Sequence, residues 1–119
     1  MIIMGFKHCT NGELITRLIL PEQSLEEQQT TWCEFRDRFE HVIIGAICLV
    51  FRRYVSQLQF TPQDIYDLAA KIFFMLSQNN FQVLSHLSTQ SDQEIETYLK
   101  MLASLKTLGH LNKKAKLIN

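Results

Sequence analysis

The chain has 119 residues, of which 46% are hydrophobic and 20% charged, and its formal net charge is zero. This length and composition predict one folded domain over residues 1–119 and exclude a disordered chain. The longest uncharged apolar run, residues 42–51, is about half of what a membrane span needs. Three widely spaced cysteines without a CxxC pair disfavour a disulfide framework and a zinc site, and they favour a reducing cytoplasm.

The balanced total charge hides a segregation along the chain. Residues 13–40 hold seven acidic side chains against three basic ones, whereas residues 97–119 hold five lysines and no acid. A basic end of this kind either meets an anionic partner or is a solvated terminus. The charges alone leave both interpretations open.

Few glycines and prolines interrupt the chain, which favours long helices. Residues 1–23 are predicted to hold a short helix and a linker, with a turn at Asn11-Gly12 and the helix over residues 13–20. Ser24 and Glu27 can form a capping box that starts a long helix to about Ser56. Its apolar stripe is Trp32, Phe35, Phe39, Val42, Ile43, Ala46, Ile47, Val50 and Tyr54. We expect this helix to be central.

The next predicted helix, over residues 61–77, has two contrasting sides. Thr61 can cap it together with Asp64. The expected core side is Ile65, Leu68, Ala69, Ile72 and Leu76, and the opposite side is Gln63, Asp67, Ala70 and Phe74. Burying a phenylalanine contributes about 1.5–3 kcal/mol, so an outward Phe74 indicates that something covers it. The cover is either another helix of the same domain or a second protein.

The segment Gln-Asn-Asn at residues 78–80 breaks the helical pattern, and a short helical stretch is predicted over residues 81–88. Ser91 and Glu94 form a third predicted capping box, which starts a last helix to about Asn112. Its apolar stripe is predicted to drift toward Met101, Leu105 and Leu108. Lys106, His110 and Lys113 line another side, next to Gly109, which is interpreted as a point of close approach for another backbone.

These elements predict an all-α fold, a single bundle of three to five helices. Its helical core is expected over residues 24–114, with a basic tail over residues 115–119. The sequence has no GxSxG, no HExxH, no glycine-rich phosphate loop and no carboxylate pair placed for acid–base chemistry. We therefore predict a non-enzymatic protein without a metal, a cofactor or a small-molecule substrate.

Three segments resemble, in order, region 2 of bacterial sigma factors, closest to the extracytoplasmic-function group. TWCEFRDRFEHVIIGAICLVFRR (31–53) is similar to the opening helix of that region. YDLAAKIFFML (66–76) resembles the D-L-x-Q-x-x-F helix that docks on the polymerase clamp. YLKMLASLKTLGHLNKK (98–114) is similar to the helix that reads the −10 promoter element. The resemblance covers about residues 11–114.

The resemblance implies three sets of functional residues. Those that would dock on the β′ clamp helices of RNA polymerase are Asp67, Ala70, Lys71 and Phe74. Those that would meet −10 promoter DNA are Lys106, His110, Asn112, Lys113 and Lys114. The loop at about residues 78–91, which in the family captures a flipped non-template base, offers Asn79, Asn80, Phe81 and His86. An anti-sigma factor is a further partner that the resemblance implies.

The chain departs from the family pattern at several positions. The glutamine of the docking motif is Ala70, and Leu105, Gly109 and Asn112 stand where asparagine, aspartate and arginine are usual. No second, −35-reading domain is predicted. Two functions follow: a sigma-like domain that recognises or melts the −10 element in transcription initiation, and a helical protein-interaction module that has lost promoter activity.

Overall fold

The structure is a computed structural model that describes residues 6, 8–54 and 60–118, with side chains as far as residue 113. This part of the chain forms α1 (Asn11–Leu18), α2 (Leu25–Tyr54), α3 (Pro62–Ser85) and α4 (Asp92–Ile118), and it contains no strand. The predicted all-α bundle of three to five helices is confirmed. The predicted end of the long helix at Ser56 lies outside the described residues.

α2 is the central helix, as predicted, because it packs more extensively against each of the other three than those three pack against one another. Phe35 is fully buried at the middle of an aromatic cluster. Its ring centroid lies 5.3 Å from that of Trp32, 4.8 Å from that of Phe39 and 6.4 Å from that of Phe73. These rings join α2 to α3.

The side of α2 that faces away from the core is exposed to solvent near the end of the helix. Leu49 is 66% exposed, and the predicted burial of Tyr54 is wrong because its side chain is 57% exposed. Phe51, which is 2% exposed, takes the inward position near the end of the helix. Its ring makes an edge contact with Phe60, at 4.7 Å between centroids.

Every one of these helices begins with a capping box. The pairs are Thr10–Glu13, Ser24–Glu27, Thr61–Asp64 and Ser91–Glu94. In the last pair the Ser91 backbone N–H donates to Glu94 Oε1 at 2.9 Å, and the Glu94 N–H donates to Ser91 Oγ at 3.2 Å. The box at Thr10 was not predicted, and it makes Asn11 and Gly12 the first residues of α1 instead of a turn.

These boxes make stability dependent on pH. The backbone N–H of the cap residue, with the cap hydroxyl, lowers the pKa of Glu13, Glu27 and Glu94 below the ordinary 4.5. A carboxyl whose pKa is lower in the folded state stabilises the fold above its unfolded pKa, and this contribution is lost as the pH falls through the folded pKa. We expect the urea concentration at the midpoint of unfolding to decrease when the pH is lowered below about 4.5. This decrease should be smaller in the variant in which the three glutamates are changed to glutamine, which caps a helix without titrating. Identical pH profiles of the midpoint in the two proteins would contradict this prediction.

α3 kinks where the sequence predicts a break. Gln78 has an extended backbone, and the next three residues have φ values of 54–57°, in the left-handed region. Asparagine tolerates that region, and Asn79 and Asn80 occupy two of the three places. Phe81 occupies the third and is held there by burial, with its ring centroid 5.2 Å from that of Trp32.

α4 buries one straight row of side chains. The row is Ile95, Leu99, Ala103 and Thr107. Thr107 can be buried in the core because its hydroxyl donates a hydrogen bond to the Ala103 carbonyl oxygen at 2.7 Å. The predicted drift of the stripe is wrong for Met101 and Leu105, which are 51% and 57% exposed.

The backbone of α4 continues to Ile118, past the predicted end at Asn112 and through most of the predicted tail. Residues 113–118 contain no glycine or proline that would stop a helix. Within the described chain the interpretation of Gly109 as a point of close backbone approach is wrong, because a Cβ there would meet nothing within 4 Å. The close approach occurs at Gly12, where a Cβ would lie 2.5 Å from the Ser88 carbonyl oxygen.

Arg38 of α2 holds the N-terminal stretch in place. Its guanidinium donates to the carbonyl oxygens of Cys9 at 2.8 Å and Phe6 at 3.0 Å. It also donates to Asn11 Oδ1 and to Glu34 Oε2, each at 3.2 Å. One side chain therefore positions α1 against the centre of the bundle.

Candidate functional site

The residues predicted to bind polymerase lie together on the solvent side of α3. Asp67, Ala70, Lys71 and Phe74 are all exposed, and we call them the outer face of α3. The Phe74 side chain is 67% exposed, so no helix of the described chain covers it. The outward orientation predicted for Phe74 is confirmed, and cover by the same domain is contradicted for these residues.

The outer face combines a small apolar patch with charge on one border. Ala70 lies one helical turn before Phe74 and on the same side of α3, and its methyl group is too short to cover much of the ring. Asp67 is held in position because its Oδ1 accepts a hydrogen bond from Gln63 Nε2 at 2.7 Å. Tyr66, 57% exposed, adds a second ring at the edge. An exposed aromatic anchor with polar neighbours is typical of the centre of a protein–protein interface.

A groove between α3 and α4 brings two of the predicted sets together. It encloses about 580 Å³ and is lined by Leu68, Lys71, Ile72, Met75, Leu105, Lys106, Gly109, His110 and Lys113. Lys71, predicted for polymerase, faces the same space as Lys106 and Lys113, predicted for DNA. Met75 and Leu105, which also line the groove, were not among the functional residues predicted from the sequence.

The remaining residues of the predicted DNA set are not gathered at one place. His110 is half-buried in the groove, whereas Asn112 is exposed and does not line it. The side chain of Lys114 lies outside the described residues. The described cations of the set therefore form a short row along α4, with Asn112 beside it.

The predicted strand-capture loop is split by the kink in α3. Asn79, Asn80 and His86 are exposed, and His86 ends α3 as its C-cap. The expectation that Phe81 offers its ring for base stacking needs correction, because the side chain is 8% exposed and packs against Trp32. Of the exposed loop residues only Asn80 lines the neighbouring pocket of about 470 Å³, next to the linker between α1 and α2.

The described residues assemble no metal site. Within residues 6, 8–54 and 60–118, no three histidine, cysteine, aspartate or glutamate side chains come together to hold an ion. In the same part of the chain, no helix is long and apolar enough to cross a membrane.

Comparison with known proteins finds no match for this chain. No protein-family model matches the chain, and no curated protein or solved structure is detectably similar to it. The structure thus defines an all-α bundle that exposes the aromatic side chain of Phe74 on α3. The resemblance to sigma factors depends on the three quoted segments alone.

Proposed function

We propose that this chain is a sigma-region-2-like domain that docks on the β′ clamp helices of RNA polymerase through the outer face of α3. The observation that carries the proposal is the 67% exposure of Phe74 on a helix whose other side is core. A ring left in water gains about 1.5–3 kcal/mol when a partner covers it. A protein with this function would act in the bacterial cytoplasm.

Ala70 changes how the docking would be achieved. The amide that the family carries at this position would supply two donors and an acceptor, and a methyl group supplies none. Affinity must then depend on burial of Phe74, with Asp67 and Lys71 setting the orientation. This makes the ring the residue whose loss matters most.

The second part of the proposal is contact with −10 promoter DNA in transcription initiation. Its support is the row of cations along α4, where Lys106 and Lys113 are exposed. Lysines at such positions contact phosphates, which positions a protein on DNA and makes its binding sensitive to salt. Among the loop residues, Asn79, Asn80 and His86 remain available for base edges.

The alternative proposal is a protein-interaction module without promoter activity. The burial of Phe81 favours it, because the loop loses the aromatic ring on which a captured base would stack. The two proposals differ in their response to single-stranded DNA that carries a −10-like element. The sigma-like domain binds it with an affinity that falls as salt rises, and the module does not bind it.

Calorimetric titration with an isolated β′ clamp-helix fragment tests the docking face. We expect micromolar or tighter binding, and we expect Phe74→Ala to weaken it at least about tenfold because a central aromatic anchor is lost. Asp67→Ala should weaken it less. Leu49→Ala is the matched control, since that side chain is 66% exposed on α2, a different helix.

Absence of binding by a chain that circular dichroism shows to be helical would refute docking on the clamp. Equal losses for Phe74→Ala and Leu49→Ala would refute the outer face as its location.

A further inference from the structure

We propose that the groove between α3 and α4 binds an acidic amphipathic helix of a partner protein. This goes beyond docking on polymerase, because the groove borders the outer face only at Lys71. The groove contains Lys106 and Lys113, which are also the proposed phosphate contacts, so a partner helix bound there would compete with promoter DNA for these two lysines. The proposal depends on the floor of the groove, its charge and its length.

The floor of the groove is aliphatic. It is made by Leu68, Ile72 and Met75 of α3 and by Leu105 of α4. Leu105 is 57% exposed, although it lines the same groove as the core residues Leu68 and Ile72. An exposed leucine next to a partly buried methionine offers a surface on which apolar side chains of a partner can pack.

The charge at the groove has one sign. Lys71, Lys106 and Lys113 line it, and none of the described lining residues is acidic. In the described part of the chain, none of these three ammonium groups forms a salt bridge, in contrast to Lys100, whose Nζ lies 3.4 Å from Glu96 Oε1. Cations along an apolar floor are complementary to carboxylates that flank apolar side chains.

The length of the groove fits a short stretch of helix. Its lining spans residues 68–75 of α3 and 105–113 of α4. At a rise of about 1.5 Å per residue these stretches are about 11–12 Å long, or two helical turns. A partner helix would place apolar side chains at i and i+4 on the floor and glutamates or aspartates toward the lysines.

The aliphatic floor of the groove suits apolar side chains of a protein better than the bases of a nucleic acid. Single-stranded nucleic acid is held by cations together with aromatic rings on which its bases stack. The residues lining this groove include no phenylalanine, tyrosine or tryptophan. The phosphates of a nucleic acid could contact the lysines of the groove, but its bases would lie against aliphatic side chains, on which they cannot stack.

A second copy of this chain is a poorer match than another protein. Its acidic stretch is the first half of α2, where Leu25 is the large apolar residue left exposed. The positions three and four residues further along are Gln28 and Gln29, and Trp32, seven residues along, is half-buried against the core. That stretch has the charge that the groove requires, but it lacks two exposed apolar side chains at i and i+4.

Fluorescence anisotropy with a synthetic peptide tests the proposal. The probe is a labelled peptide of about 16 residues, long enough to form a helix, with leucines at i and i+4 and glutamates on either side. The same peptide with lysines in place of the glutamates is the charge control. We expect micromolar binding of the acidic peptide, weaker at higher salt, and at least about tenfold weaker binding of the lysine peptide.

Two variants locate the binding. Gly109→Phe places a ring in the groove, and its Cβ would meet nothing within 4 Å, as at Gly45 on α2. Gly45→Phe is therefore the matched control. We expect Gly109→Phe and the double variant Lys106→Glu with Lys113→Glu each to weaken binding at least about tenfold, and Gly45→Phe to leave it unchanged.

Three results would overturn the proposal. The first is equal affinity of the acidic peptide for the unaltered chain and for Gly109→Phe. The second is tighter binding of an oligothymidylate than of the peptide, lost in Gly109→Phe, which would assign the groove to nucleic acid. The third is self-association of the unaltered chain, measured by sedimentation and lost in Gly109→Phe, which would assign it to a second copy.

Discussion

Replacing Phe35 with alanine is expected to lower the free energy of unfolding by about 3–5 kcal/mol. The side chain is fully buried, and its ring contacts those of Trp32, Phe39 and Phe73. Removing it leaves a cavity between α2 and α3 that the neighbouring rings fill only in part. Urea unfolding followed by circular dichroism measures the loss.

The control for this prediction lies on the same helix. Leu49→Ala removes a large apolar side chain that is 66% exposed, so we expect a change within about 0.5 kcal/mol. A loss below about 1 kcal/mol for Phe35→Ala would show that this aromatic cluster is not the core. Similar losses in the two variants would contradict the packing of α2.

Two glycine-to-alanine changes are expected to change the stability of the fold in opposite directions. Gly12→Ala should destabilise the fold by about 1–3 kcal/mol, because its Cβ would lie 2.5 Å from the Ser88 carbonyl oxygen, a backbone atom that cannot turn away. Gly109→Ala should stabilise it by as much as about 1 kcal/mol, because alanine favours helix and nothing lies within 4 Å.

Thermal and urea unfolding of the two variants measure both effects. The clash at Gly12 pushes α1 away from Ser88 and so from the start of α4, where the Asn11 N–H donates to Asp92 Oδ1 at 2.8 Å. We therefore expect Gly12→Ala to weaken this contact as well. Stabilisation by Gly12→Ala, or destabilisation by Gly109→Ala, would contradict the arrangement of these helices.

The two proposed surfaces lie side by side but differ in chemistry. The outer face of α3 is centred on the aromatic ring of Phe74, whereas the groove has an aliphatic floor and a row of lysines. Lys71 borders both. A partner helix in the groove would therefore approach any protein docked on the outer face, so occupancy of one site is expected to influence the other through this lysine.

The sequence by itself determined the local features of the fold. Three of the four capping boxes were predicted, because a cap and its partner lie three residues apart and need nothing else to form. The break at residues 78–80 and the outward orientation of Phe74 were likewise predictable. The first follows from a run of poor helix formers, and the second from the 100° turn between successive residues of a helix.

Only the tertiary structure decided which helix faces meet. That choice buries Phe51 and leaves Tyr54 in solvent, takes Thr107 into the core at the expense of Leu105, and puts the close backbone approach at Gly12. It also assembles the groove, because residues of α3 and α4 that are far apart in the chain become neighbours. Hydrophobic periodicity shows which faces are apolar, but the partner of each face depends on how all the helices pack at once.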